Sequence, residues 1–337
     1  MENFWVGLVQ VNLFLQNLGD WLFVPMRFFS FLGDEEFYLF IMPAIFWCFD
    51  SRLGVQVGLL LMLSNGFNAF FKLLFHSPRP FWVSDTVKPM VLETSFGLPS
   101  GHAQNAASIW GFFATVSRKL WVKIALIVLI FLIGLSRLYL GAHFLVDVLF
   151  GWLLGGLLLW LFLAFFERIK DQVKNWSRAR QWLGVVVSTL FILLLSTISL
   201  LINQTWKMPV NYQANINLQF PEEAINPLSM DGVITAAAVW FGLLAGLILI
   251  QKVIPLGRIR AKPLHLILRF VIGIIGVLVF WAGLKLVFPV DIPIISDVLR
   301  FVRYGLVGIW ISAGAPYLFK RFGLEIKIKK KSTKRRK

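Results

Sequence analysis

Predominantly apolar stretches of membrane-crossing length recur along the whole chain, Leu183–Ile202 and Val233–Ile250 among them. A helix needs ~20 apolar residues to cross the hydrocarbon core of a bilayer. Within that core every backbone N–H and C=O must be paired internally, so chain of this kind folds as helices. Of the 337 residues, 58% are hydrophobic and the mean hydropathy is +0.75. That leaves too little polar surface to cover a soluble globule. The expected class is an all-α integral membrane protein.

The N-terminus lacks the basic start and small-residue cleavage site of a signal peptide. Phe4, Leu8, Val11, Leu15 and Leu18 recur at helical spacing among Gln10, Asn12, Gln16 and Asn17. This pattern predicts an interfacial helix on the membrane within residues 1–30. The first half of a spanning helix is the alternative. About nine transmembrane helices are then expected, near 31–50, 53–75, 103–118, 121–140, 143–166, 183–205, 233–253, 265–288 and 298–319. They divide into a core at 31–166, a cytoplasmic loop at 167–182, a C-terminal four-helix extension at 183–319 and a basic tail at 320–337.

Net charge is +16, but the basic residues cluster in alternate loops and in the tail. One set of connections carries Arg52; Arg118, Lys119 and Lys123; Arg168, Lys170, Lys174, Arg178 and Arg180; and Lys252, Arg258, Arg260 and Lys262. The opposite set is acidic or neutral: 206–232 has Lys207 against Glu222, Glu223 and Asp231, and 289–297 has Asp291 and Asp297. The positive-inside rule places the first set and the C-terminus in the cytoplasm. The charge is therefore a topology signal and no nucleic-acid partner is expected. The single Cys48 excludes an intramolecular disulfide, and no zinc-type Cys/His spacing occurs, so no metal or other cofactor is expected.

Three motifs fall on the non-cytoplasmic side of this layout: Lys72-x6-Arg79-Pro80, Pro99-Ser100-Gly101-His102, and Ser136-Arg137-x5-His143-x3-Asp147. They sit at four predicted helix ends at one membrane depth. A phosphate ester resists anionic nucleophiles, so its non-bridging oxygens need cations. Lys72, Arg79 and Arg137 supply them, the arginines with forked donors. Ser100 and Gly101 begin a helix, where free N–H groups favour an anion. His143 and Asp147 are four apart and share a helix face, so the carboxylate orients the imidazole. His143 is expected to attack phosphorus and His102 to protonate the leaving oxygen, then to activate water. Singly each residue has an ordinary reading, as a helix cap, an interfacial anchor or a polar helix end. Their conjunction on one face carries the inference.

These residues match without substitution the three-part signature of the type 2 phosphatidic acid phosphatase superfamily, which the chain resembles over about 30–165. The resemblance implies a core of the acid phosphatase/vanadium haloperoxidase type. It implies catalytic residues His143, His102 and Asp147, and phosphate binding by Lys72, Arg79, Ser100, Gly101 and Arg137. Gly33-Asp34-Glu35-Glu36-Phe37-Tyr38, Phe71-Lys72, Arg79-Pro80-Phe81-Trp82 and Glu93 further resemble the glucose-6-phosphatase and sphingosine-1-phosphate phosphatase branch.

The expected function is metal-independent hydrolysis of a lipid phosphate: phosphatidate-like, sphingoid-base, or prenyl phosphate or diphosphate. Alternatives are a soluble phosphomonoesterase of the glucose-6-phosphatase type and a lipid phosphotransferase. A transporter on the same scaffold would not need the intact His102, His143 and Asp147. Partners are the bilayer and the phosphate ester, and the expected location is a bacterial plasma membrane. His76 is read as a substrate contact or a loop hydrogen bond, and Asn65 and Asn68 as helix–helix contacts or pocket lining. The loop Phe81–Leu98 is expected to cover the site, and Lys285, Arg300 and Arg303 to reach a headgroup, anchor, or pair with Asp291 and Asp297.

Overall fold

The computed structural model describes residues 2–223, 225–288 and 293–324; the tail beyond 324 and Asp291 lie outside them. Among the described residues the regular structure is helical, apart from one isolated bridge between Asp50 and Arg258. Six helices among the described residues are long and apolar enough to cross a membrane, and the chain is an integral membrane protein. The expected span at 31–50 is shorter than drawn, and that at 103–118 is displaced two residues toward the N-terminus. The first holds α3 (Glu35–Ala44) with a π-helical turn to Phe49. The second comprises α6 (Gly101–Asn105), a π-helical turn and α7 (Gly111–Val116). It stops at Ser117, which is already extended.

The chain divides into two compact units, one of 1–38 with 59–237, the other of 39–58 with 238–337. The first contains all three motifs. Its framework is α4 (Ser51–Phe75, from 59 onward), α6–α7, α8 (Leu120–Tyr139) and α9 (Leu145–Lys174). Polar side chains lock α4 to α6: Gln104 donates to Ser64 O (2.7 Å), Asn68 to Gln104 Oε1 (2.8 Å) and Asn105 to Asn65 Oδ1 (2.8 Å). Such bonds join helices where water does not compete. On the other side α9 lies close to α6 because it carries glycine. A Cβ on Gly151 would stand 2.7 Å from Ser100 O.

The N-terminal helix α1 (Glu2–Gln16) belongs to this unit. Phe4, Phe14 and Leu18 are exposed, whereas Leu8, Val11 and Leu15 pack inward. Its polar side differs from that of a helix whose amides face water. Asn12 is fully buried and donates to Leu138 O (2.8 Å) and His143 O (2.9 Å). Gln16 donates to Lys88 O (2.8 Å) and Tyr139 O (2.9 Å). The physical reason is the end of α8, whose last carbonyls have no partner within their own helix.

The second unit packs tryptophans against glycines. Trp47 lies against Gly273 and donates to Ile311 O (2.9 Å); Trp310 lies against Gly276 and donates to Gly273 O (2.8 Å). Gly242 of α12 (Asp231–Ile250) meets Gly305 and Gly308 of α15 (Pro293–Ile309), the close backbone approach that small residues permit. Arg303 is buried with its guanidinium 4.8 Å from the Tyr304 ring.

Candidate active site

Helix α4 ends at Phe75, and His76 takes a left-handed conformation (φ 50°) that turns the chain. Arg79 is extended and precedes α5 (Pro80–Val83), whose first residue Pro80 suits a helix start. This turn sends Arg79 inward, where it is fully buried. Its guanidinium is shared among many acceptors. Nε donates to Ser95 O (2.5 Å), Nη1 to Ala142 O (2.8 Å), and Nη2 to Phe96 O (3.1 Å), Ser95 Oγ (3.1 Å) and Glu93 Oε2 (3.3 Å). Lys72 donates to Ser95 Oγ (2.7 Å). Arg137, at the end of α8 and also buried, donates to Ser30 Oγ (2.6 Å) and pairs with Glu93 Oε1. Glu93 thus bridges both arginines. Burial would push its carboxyl up, but Arg79 and Arg137, with His102 and Lys72, hold it well below the usual carboxylate range.

Between α8 and α9 the chain makes a turn through Gly141, which has the positive φ (68°) that glycine tolerates. His143 follows, almost fully buried. Its Nε2 is 3.3 Å from Arg79 Nη1 and its Nδ1 is 3.3 Å from Asp147 Oδ2. A guanidinium only donates, so Nε2 must be the bare nitrogen and Nδ1 the protonated one, facing the carboxylate. Asp147 Oδ2 also accepts from Phe144 N (2.9 Å) and caps α9, while Ser100 N donates to Asp147 O (3.0 Å). His102, in α6, pairs through Nε2 with Asp34 Oδ1 at 2.7 Å.

A cavity of about 590 Å³ opens among these groups, and every residue lining it belongs to the first unit. Of the residues singled out from sequence, Lys72, Gly101, His102 and His143 line it. Arg79, Ser100, Arg137 and Asp147 stand behind the lining and are buried. Gly101 lets the start of α6 pack closely on Asn68; a Cβ there would lie 3.3 Å from Asn68 Oδ1. Asn65 and Asn68 both line the cavity and bond between helices. The loop Phe81–Leu98 contributes Leu92, Glu93, Thr94 and Ser95 to the wall. His76 packs instead against Phe96 and Trp206, with ring centroids at 4.7 and 5.8 Å. Four residues carry more of the site than their spacing announces: Asn12, Asp34, Glu93 and Ser95. Asp34 and Glu93 stand within segments of family likeness; Asn12 and Ser95 have no such signal.

Residues 53–171 match the PAP2 superfamily, and residues 234–330 match the PAP2 superfamily phosphatase transmembrane extension. The chain belongs to the PAP2 superfamily. It is 34% identical over 163 residues to phosphatidylglycerophosphatase B of Bacillus subtilis, covering 44% of this chain and 78% of that protein. It is 31% identical over 172 residues to glucose-6-phosphatase 3 of Bos taurus, covering 44% of this chain and 49% of that one. The chain therefore spans about half the length of the bovine relative. A solved transmembrane PAP2-type phosphatidylglycerolphosphate phosphatase from Bacillus subtilis is 28% identical, with a TM-score of 0.42 over 49% of this chain and 86% of that one.

Proposed function

We propose that this chain hydrolyses the phosphate ester of a membrane lipid, without a metal, through a phosphohistidine. The observation that carries the reading is the state of His143: a bare Nε2 toward Arg79, a protonated Nδ1 toward Asp147, and a position on the wall of the cavity that also exposes Lys72 and His102. In the first step Nε2 attacks phosphorus. The P–N bond forms as the P–O ester bond breaks, and the leaving oxygen takes a proton from His102. In the second step His102 takes a proton from water, the oxygen attacks phosphorus, the P–N bond breaks and phosphate leaves. Lys72, Arg79 and Arg137 offset the charge on the non-bridging oxygens. Asp147 keeps the Nδ1 proton in place and stabilises positive charge on the ring.

The name of the Bacillus relative supports a lipid substrate, and the six long apolar helices support its delivery from the bilayer. A second reading, a small soluble phosphomonoester, is favoured by the polar wall of Asp34, Glu35 and Glu36 and by the name of the bovine relative. A phosphotransferase would differ only in the acceptor of the second step. Loop charges support a site on the non-cytoplasmic face with a cytoplasmic C-terminus, and the Bacillus relative supports a bacterial plasma membrane. The test is phosphate release from phosphatidate, phosphatidylglycerophosphate and glucose 6-phosphate, with and without a lipid alcohol acceptor. Lipid phosphates should be preferred, a chelator should not matter, and His143→Ala should fall to background. Full activity in His143→Ala, or loss with chelator, overturns the mechanism.

A further inference from the structure

The turn between α2 (Phe23–Phe31) and α3 lies outside the stretch at 53–171 that matches the superfamily, yet it holds both Arg137 and His102. Ser30 Oγ accepts from Arg137 Nη1 at 2.6 Å. The turn then closes through Gly33 N to Ser30 O (2.8 Å) and Asp34 N to Phe31 O (3.1 Å). This brings Gly33 close against the His102 side chain: a Cβ on Gly33 would stand 2.7 Å from His102 Cδ2 and 3.2 Å from Cγ. It also brings Asp34 Oδ1 to 2.7 Å from His102 Nε2, and Asp34 itself lines the cavity. One turn therefore packs against the Cδ2–Cγ side of the imidazole and binds its Nε2.

We propose that Asp34 is the positioning residue of His102, with Gly33 as the seat that leaves room for the ring. The inference rests on His102 being the acid of the phosphatase reading. Each of the two histidines then has its own carboxylate partner, Asp147 for the nucleophile and Asp34 for the acid. A carboxylate on one imidazole nitrogen fixes the ring orientation and favours the doubly protonated form, which is the form able to donate. Asp34 does not touch phosphorus and forms no bond to the substrate in this scheme; its action passes through His102.

The leaving group separates this role from a general structural one. An alkoxide leaves only with a proton, whereas p-nitrophenolate leaves unaided. In the full chain in detergent, Asp34→Asn should lower kcat/KM for phosphatidate by ~100-fold or more, the usual worth of a positioned acid. The loss for p-nitrophenyl phosphate should be roughly tenfold smaller or better, and Asp34→Glu should recover part of the lost rate. If Asp34→Asn does not fold, Gly33→Ala carries the same test, because its methyl group displaces the ring alone. Equal losses on both substrates, or no loss on either, overturn the inference. Full activity of His143→Ala on p-nitrophenyl phosphate, or a wild-type chain inert toward both substrates, overturns the phosphatase reading instead.

Discussion

Asn12 tests whether the N-terminal helix is part of the site or only rests beside it. Its Nδ2 donates to Leu138 O at 2.8 Å and to His143 O at 2.9 Å, and the side chain is fully buried. Asn12→Leu keeps most of the volume and removes the donor. Leu138 O also accepts from Gly141 N at 3.2 Å, so it keeps a partner, and the loss there is one ordinary hydrogen bond, ~0.5–1.5 kcal/mol. His143 O loses the donor that Asn12 brings to it, and a bare buried carbonyl costs ~1–3 kcal/mol. The two losses sum to roughly 1.5–4.5 kcal/mol, less what is regained by removing Asn12 Oδ1, a buried acceptor with no hydrogen-bond partner among the described residues. The backbone that loosens is that of the proposed nucleophile, where a displacement of ~1 Å costs on the order of 100-fold in rate. The expected result is a thermal midpoint several degrees lower in detergent and a kcat reduced ~10- to 100-fold, with KM changed far less. Gln10→Leu, at an exposed position on the same helix, is the control and should change stability by less than ~0.5 kcal/mol. Wild-type midpoint and kcat in Asn12→Leu would refute the argument and return α1 to a purely peripheral role.

Glu93→Gln should lower the midpoint near pH 7, because it leaves two buried arginines without the half-buried carboxylate they share; losing one partner of a fully buried pair costs roughly 3–5 kcal/mol, and exposure of Glu93 to the cavity makes this an upper bound. The Glu93 carboxyl is held low, so its contribution is complete above the ordinary Glu value of ~4.3 and is lost as pH falls below it toward the depressed folded value. The gap in midpoint between wild type and variant should therefore persist at about pH 4 and narrow only as the pH is taken well below that; a gap already closed at about pH 4, or one that never narrows on further acidification, would contradict this. Arg79→Lys keeps the charge but replaces the fork, so it should lose stability as well as kcat, whereas Lys72→Met should raise KM at nearly unchanged midpoint. Paired kinetics and melting separate these; an Arg79→Lys protein of full stability with only a raised KM would show that the fork serves phosphate alone.

What could be read from sequence follows from what local chemistry repeats. Long apolar runs have one outcome in a bilayer, so the helices of the α8, α9 and α12 regions were legible from length alone. His143 and Asp147 are one helical turn apart, and spacing of that kind states a contact. Asn12 and Gln16 share that spacing, but a polar helix face can turn to water or to bare carbonyls, and composition does not distinguish the two. Asp34 and Glu93 lie 68 and 44 residues from their partners His102 and Arg137. No periodicity links residues so far apart, so single acids of this kind become visible only when the helices are assembled. The late start of the helix at 35–49 was hidden for a related reason: apolar residues up to Leu32 lead straight into it, and only the turn at Gly33-Asp34 sets it off from α2.

The buried arginines show why the site needs more than its three motifs. Like charges placed together away from water repel and are poorly solvated, so a bare cluster of Lys72, Arg79 and Arg137 would spread or fail to fold. The chain meets this by giving Arg79 three backbone carbonyls, from Ser95, Phe96 and Ala142, and by setting one carboxylate, Glu93, across both arginines. Those carbonyls belong to the loop over the cavity and to the turn that bears His143. The same guanidinium therefore fixes the loop, the backbone beside His143 and the direction of that residue's bare nitrogen. On the proposed function, a fork already engaged in this way acts on an incoming phosphate mainly through its charge, while Lys72, on the cavity wall and held by a single hydrogen bond to Ser95 Oγ, is the cation that can turn to the ligand. Arg79 is thus better understood as the residue that assembles the site than as the bidentate phosphate ligand its motif implies.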